Sequence, residues 1–227
     1  MVYALADRGA RLLIERDGIA FANVEWSRKN HAAGRPFIEH QLEIMDFSVA
    51  LQSAVRTRPD LRVMHADELA AGCPDQTLNP RSSFALRARL THAGIAHDVG
   101  VVPDLVFGLA FADGTRRCFM VEIDRGTMPV TRTDLAQTSF ERKMRGYLTA
   151  YAAKQHEKKF GWKAFRVLTI TIDATRKQTM LEALAKLRVP HSPGPSLFWF
   201  LTRQEVTAFD LLMQPWHDGN ERQVRLI

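Results

Sequence analysis

Acidic residues at the ends of two apolar stretches are the part of this chain best placed to do chemistry. Val101-Val102-Pro103-Asp104-Leu105-Val106-Phe107 is followed, across an Asp113-Gly114 turn, by Cys118-Phe119-Met120-Val121-Glu122-Ile123-Asp124-Arg125-Gly126-Thr127. The pair reads as a hairpin. Successive side chains of a strand alternate faces, so Glu122 and Asp124 point the same way with Cα atoms about 6.5–7 Å apart, while Phe119, Val121 and Ile123 enter the opposite layer. Neighbouring carboxylates at the end of an apolar strand are costly unless something positive stands beside them. A divalent cation, an Arg or Lys, or the phosphate-bound metal of a nucleic acid would serve. In the competing reading Asp104 caps a turn, and Glu122 and Asp124 pair with Arg125, Arg132 or Arg142 at a strand-to-helix junction. Pro-Asp also occurs at 59–60 and 74–75, so the dipeptide carries weight only at Pro103-Asp104, where a strand and a second acidic strand end follow.

The elements that must position these acids follow from periodicity. Apolar residues Ile38, Leu42, Met45, Val49 and the Leu51–Val55 segment predict a long helix from Phe37 to about Arg56, ended by Pro59. Residues 61–64 form a short strand, 73–83 a loop, and 84–90 a strand leading into the 101–124 hairpin. A second long helix spans about 133–158, with Phe140, Met144, Tyr147, Leu148 and Tyr151 as its apolar stripe. Phe165–Ile172, rich in β-branched residues, is a strand. A helix over 176–187 is stopped by Pro190, and a strand covers 197–202. This alternation argues for an α/β fold, a mixed sheet with helices on both faces. Residues 2–16 read as a short strand, a turn at Asp7 and a short helix with Leu12 and Leu13 on its buried side. A polar connector over 18–36 ends at Gly34 and Pro36.

Composition narrows the function classes. The 227 residues carry a net charge of +6, and 46% are hydrophobic. The excess charge lies mostly on Arg, the side chain suited to bidentate phosphate contact, which leans toward an anionic partner. No run approaches the roughly 20 apolar residues of a membrane span, and Asp7, Arg8 and Arg11 interrupt any signal peptide. Cys73 and Cys118 form neither a disulfide framework nor a zinc signature, so a cytoplasmic location is expected. His92 and His97 lack a third ligand for zinc. His40 shares the first helix with Glu39, Glu43 and Asp46 and could face the acids. Phe198, Trp199, Phe200 and Trp216 could stack on bases, although core packing is the commoner use of such residues. There is no phosphate-binding glycine loop, dinucleotide fingerprint or nucleophile elbow.

The order helix, three-strand meander with an acid early in one strand and another late in the next, then helix and strand, resembles the core of the PD-(D/E)xK nuclease superfamily. The matching residues are Pro103-Asp104 and Glu122-Ile123-Asp124. The resemblance implies a restriction-endonuclease-like core in which Asp104 and Glu122 hold a divalent metal. Magnesium or manganese suits such oxygen ligands, and the metal would activate water against a phosphodiester. That superfamily places a lysine two residues after the second acid. Here Asp124 stands instead, and the resemblance implies a cation from the following helix, Lys143, ahead of Arg125 and Arg142, that would stabilise the developing phosphate charge.

Val2-Tyr3-Ala4-Leu5 with Gly9, Val102-Pro103-Asp104, Phe119 to Thr127 and Lys143-Met-Arg-Gly-Tyr147 together resemble the bacterial replication-relaxation family, in that order along the chain. The resemblance implies a protein of plasmids and mobile elements that acts on or at DNA. It makes residues 1–17 the remnant of a winged helix-turn-helix, its closing strand and last helix, and 36–227 the nuclease-like domain. The expected function is that of a DNA-associated accessory protein of plasmid replication or mobilisation, non-catalytic, with DNA and a plasmid relaxase or replication protein as partners and no membrane. The alternative is a metal-dependent DNA phosphodiesterase using Asp104, Glu122, Asp124 and Lys143.

Overall fold

The computed structural model describes residues 34–74, 84–92, 94–208 and 210–227, with Arg8, Arg11, Leu12, Glu15 and Arg16 near the N-terminus. Two compact units divide the chain at Glu43 and Ile44. In the first, the five N-terminal residues are helical and exposed, Leu12 included, which corrects its placement on a buried side. The rest of the winged-helix reading lies outside the described residues. Helix α1, Arg35–Arg56, opens here. Pro36 occupies its first turn instead of ending the connector, a position where the missing N–H has no helical acceptor to lose.

The second unit contains a seven-stranded sheet. Its strands are β1 (Leu61–Met64), β4 (Leu105–Phe111), β5 (Arg116–Ile123), β6 (Arg166–Thr171), β7 (Phe198–Thr202), β8 (Trp216–Asp218) and β9 (Gln223–Val224), in that spatial order. The β5–β6 and β6–β7 pairs are parallel and the others antiparallel. The mixed sheet expected from the alternation of elements is therefore present. The parallel pairs require crossovers, and helices supply them: α3 (Phe140–Ala152) and α4 (Gln155–Phe160) between β5 and β6, and α5 (Ala174–Ala185) between β6 and β7. Short helices α2 (Ala66–Ala71) and α6 (Arg203–Ala208) complete the unit. Thr202 and Glu205 start α6 as a capping box, Glu205 accepting from the Thr202 amide at 2.6 Å.

Period-two alternation along β5 sends Cys118 and Met120 into one core layer and Phe119, Val121 and Ile123 into the other. The first layer is closed by Met144, Tyr147 and Leu148 of α3 and by Met180 and Leu184 of α5. Ile44, Phe47 and Leu51 of α1, with Leu211, Trp216 and Leu226, close the second. The helix over 37–56 thus forms, but Leu42, Met45 and Val49 of its expected stripe are exposed. Burial runs one row over, through Ile44, Phe47, Leu51, Ala54 and Val55. This row carries Phe47, whose ring lies 6.0 Å from Phe107 on β4.

Two other expectations are corrected. Strand β2 (Leu86–His92) does not join the acidic hairpin; it pairs with β3 (Ile95–Val101) in a separate two-stranded sheet. Gly94, at φ +78°, supplies the left-handed turn that makes this tight hairpin. The single helix over 133–158 is two: Ser139 caps α3, accepting from the Arg142 amide at 3.1 Å, and Lys154 at φ 56° separates α3 from α4. Residues 133–138 are instead a loop, where the Asp134 side chain accepts from the Ala136 amide. Strands β8 and β9, too short to show a period, were not expected. No helix among the described residues is long and apolar enough to cross a membrane.

Candidate functional site

Glu122 is the last full turn of the pleat before β5 ends at Ile123, and its side chain is 1% exposed. A charge so buried must be met by donors from the layer it enters. Tyr147 donates its hydroxyl to Glu122 Oε1 at 2.6 Å, and Lys143 donates from Nζ to Oε2 at 2.6 Å. Both donors come from α3, four residues apart and so on one face of the helix. Burial raises the Glu122 pKa, while the Lys143 charge and the two hydrogen bonds oppose the rise and nearby Asp104 adds to it. Burial works in the other direction on Lys143, but the carboxylates of Glu122 and Asp104 outweigh it and keep its pKa above the ordinary lysine value. The Tyr147 hydroxyl, buried against a carboxylate, is pushed well above the usual tyrosine range. It is therefore a fixed hydrogen-bond donor.

Asp104 lies just before β4 at the same strand end. Its Oδ2 accepts from the Ile123 amide at 2.8 Å, and its own amide donates to Val121 O at 2.9 Å, tying the two acidic strand ends together. Asp124 follows β5 and is 7% exposed. The parallel register that pairs Ile123 with Ile170 sets Asp124 beside Thr171. Thr171 Oγ1 donates to Asp124 Oδ2 at 2.8 Å, and Arg176 grips the carboxylate with two nitrogens, Nε to Oδ2 and Nη2 to Oδ1 at 2.9 Å. Such a two-point guanidinium contact is among the strongest charge-assisted arrangements. Arg176 is set in place by the start of α5, where Asp173 accepts from the Arg176 amide at 2.8 Å.

Of the four residues singled out from sequence, Asp104, Glu122 and Lys143 gather at one strand end, and Asp124 stands beside them with a cation of its own. Among the arginines offered as partners, Arg132 donates to Thr138 O and Gln137, and Arg142 to Asp98 O. Arg176 and Thr171 went unnoticed. Their signal was the Asp173-x-x-Arg176 start of a helix directly after the strand that parallels β5.

As a metal site the arrangement fits poorly. Both oxygens of Glu122 and both of Asp124 accept hydrogen bonds from protein donors, and the described residues contain no group of three His, Cys, Asp or Glu side chains placed to hold an ion. A bound cation would have to share the Glu122 oxygens with Tyr147 and stand beside the Lys143 ammonium, whose charge repels it.

A family model described as replication-relaxation matches residues 1–163. The chain belongs to the replication-relaxation family. Membership points to a role in replication or mobilisation. The matched span includes Asp104, Glu122, Asp124, Lys143 and Tyr147 but stops before Thr171 and Arg176. Comparison with curated proteins and with solved structures gives no match.

Proposed function

We propose that this replication-relaxation protein is a cytoplasmic, DNA-associated accessory factor of plasmid replication or mobilisation, with a restriction-endonuclease-like core used as a binding platform and not for catalysis. A relaxase or replication protein as partner belongs to the same reading. The observation that carries it is the internal pairing of the acids: Glu122 with Lys143 and Tyr147, Asp124 with Arg176 and Thr171. Carboxylates held this way brace the junction of β5, α3 and α5. The net charge of +6 supplies the attraction to DNA.

A second reading, a magnesium- or manganese-dependent phosphodiesterase, draws on the approach of Asp104, Glu122 and Lys143 to one another at the end of β5. One experiment separates them. The chain is mixed with linear and supercoiled DNA across a salt series, with and without magnesium or manganese, beside an Asp104→Asn variant. The platform reading expects binding that weakens with salt and no cleavage in either metal. Metal-dependent cleavage lost in Asp104→Asn would overturn it in favour of the nuclease.

A further inference from the structure

The acids occupy the carboxyl end of β5; its amino end is different in kind. There the starts of β5 and β6 border a cleft of about 890 Å³. Arg116, Arg117, Lys163 and Arg166 line it with Trp162 and Trp199, and no described Asp or Glu does. With a rise of about 3.3 Å per residue, Arg116 stands roughly 20 Å along the strand from Glu122. The cleft is therefore a separate place from the carboxylate cluster.

Its four cations are not equivalent. Arg117, though exposed, is already engaged, donating to Leu226 O at 2.9 Å with its guanidinium 5.2 Å from the Phe111 ring centre. Arg166 lies over the Trp199 indole at 6.0 Å, and Trp199 is half-buried. Arg116 and Lys163 are exposed, and neither pairs with a carboxylate among the described residues. Trp162 is 2% exposed in the cleft lining, its indole packed against Phe84, Phe160 and Phe165. Two exposed cations without a described carboxylate partner and a Trp–Arg stack in a concave site together complement what a nucleic-acid strand presents. Its phosphates meet the cations and its bases meet the flat groups. A duplex keeps its bases stacked inside and cannot use the indole.

We infer that this cleft binds a single nucleic-acid strand, with Arg116 and Lys163 on its phosphates and the Trp199–Arg166 stack as the platform for a base. The inference rests on the DNA-associated reading and assigns it a surface. At the acidic end, by contrast, Lys143 and Arg176 are already committed to carboxylates.

The test is fluorescence anisotropy of a labelled oligothymidine of about 20 nucleotides. It compares the whole chain with Arg116→Glu/Lys163→Glu and with Arg89→Glu, an exposed charge on β2, after circular dichroism has shown all three folded. The double variant is expected to lose at least about tenfold in affinity at low salt, and Arg89→Glu less than about threefold. A duplex of equal length should bind more weakly and respond less to the double variant. If the chain binds the strand and the double variant binds it equally well, the cleft assignment is overturned and the DNA-associated reading stands. If Arg89→Glu loses as much, or the duplex is affected as strongly, the attraction is diffuse and the assignment falls too. If the unmodified chain binds no DNA, both fall.

Discussion

Glu122 meets a cation and a neutral hydroxyl, and the two should contribute unequally to stability. Tyr147 is fully buried, so Tyr147→Phe removes one hydrogen bond to a charged group and should cost about 1.5–3 kcal/mol. Lys143→Met removes the charge that offsets a buried carboxylate. Its side chain is 33% exposed, so water replaces part of the loss. A cost of roughly 3 kcal/mol is expected, at the low end for breaking a buried pair. Glu122→Gln should destabilise for the converse reason. The double variant Glu122→Gln/Lys143→Met, with no charge to strand, should then lose at least about 1 kcal/mol less than the sum of the single losses. Urea unfolding of the four proteins measures this coupling. Strictly additive losses would mean that the two groups do not depend on each other, and the bracing role given to the pair would be wrong.

Helix α3 can present Lys143 and Tyr147 to Glu122 only by lying close to the neighbouring hairpin, and Gly146 is where it does so. A Cβ there would stand 2.5 Å from Val101 Cγ2 and 3.1 Å from Val99 Cγ1 on β3. Gly146→Ala would gain about 1 kcal/mol of helix propensity but force overpacking of roughly 1–3 kcal/mol. A net fall of a few degrees in the melting midpoint is expected, with Gly146→Ala/Val101→Ala less destabilised than the sum of its parts; calorimetry decides. No periodicity announces that contact, and the same distinction separates what was legible from what was not. Strand β5 and the shared side of Glu122 and Asp124 follow from alternation within eight residues, a purely local property. Lys143 and Tyr147 share a helix face for an equally local reason. The division of residues 133–158 turns on the Ser139 cap and on one left-handed residue, Lys154, with nothing in composition to mark it. The separate β2–β3 sheet depends on which strand β2 meets. Arg176 reaches Asp124 across 52 residues, a pairing created by the parallel register and invisible until β6 lies beside β5.

At the scale of the molecule, the family match and the folded unit do not share a boundary. The match ends at residue 163, whereas the sheet continues through β6, β7, β8 and β9. Strand β6 lies between β5 and β7, and Val167, Leu168 and Ile170 are buried on its two faces. Without residues 164–227, β5 would become an edge with its hydrogen-bonding groups bare, and its two core layers would lose α5 on one side and Leu211, Trp216 and Leu226 on the other, a template for aggregation. Asp124 would also lose Thr171 and Arg176 together, leaving a carboxylate without the partners that offset its burial. A chain ending at residue 163 is therefore expected to lack a cooperative unfolding transition, show weak near-ultraviolet circular dichroism and self-associate, while the full chain unfolds cooperatively. Near-ultraviolet circular dichroism and size-exclusion chromatography on the two proteins make the comparison. A monomeric 1–163 chain with a sharp transition would show that the portion matched by the family folds on its own. The sheet beyond β5 would then be an addition to the family's fold, and the Asp124–Arg176 clasp a feature peculiar to this chain.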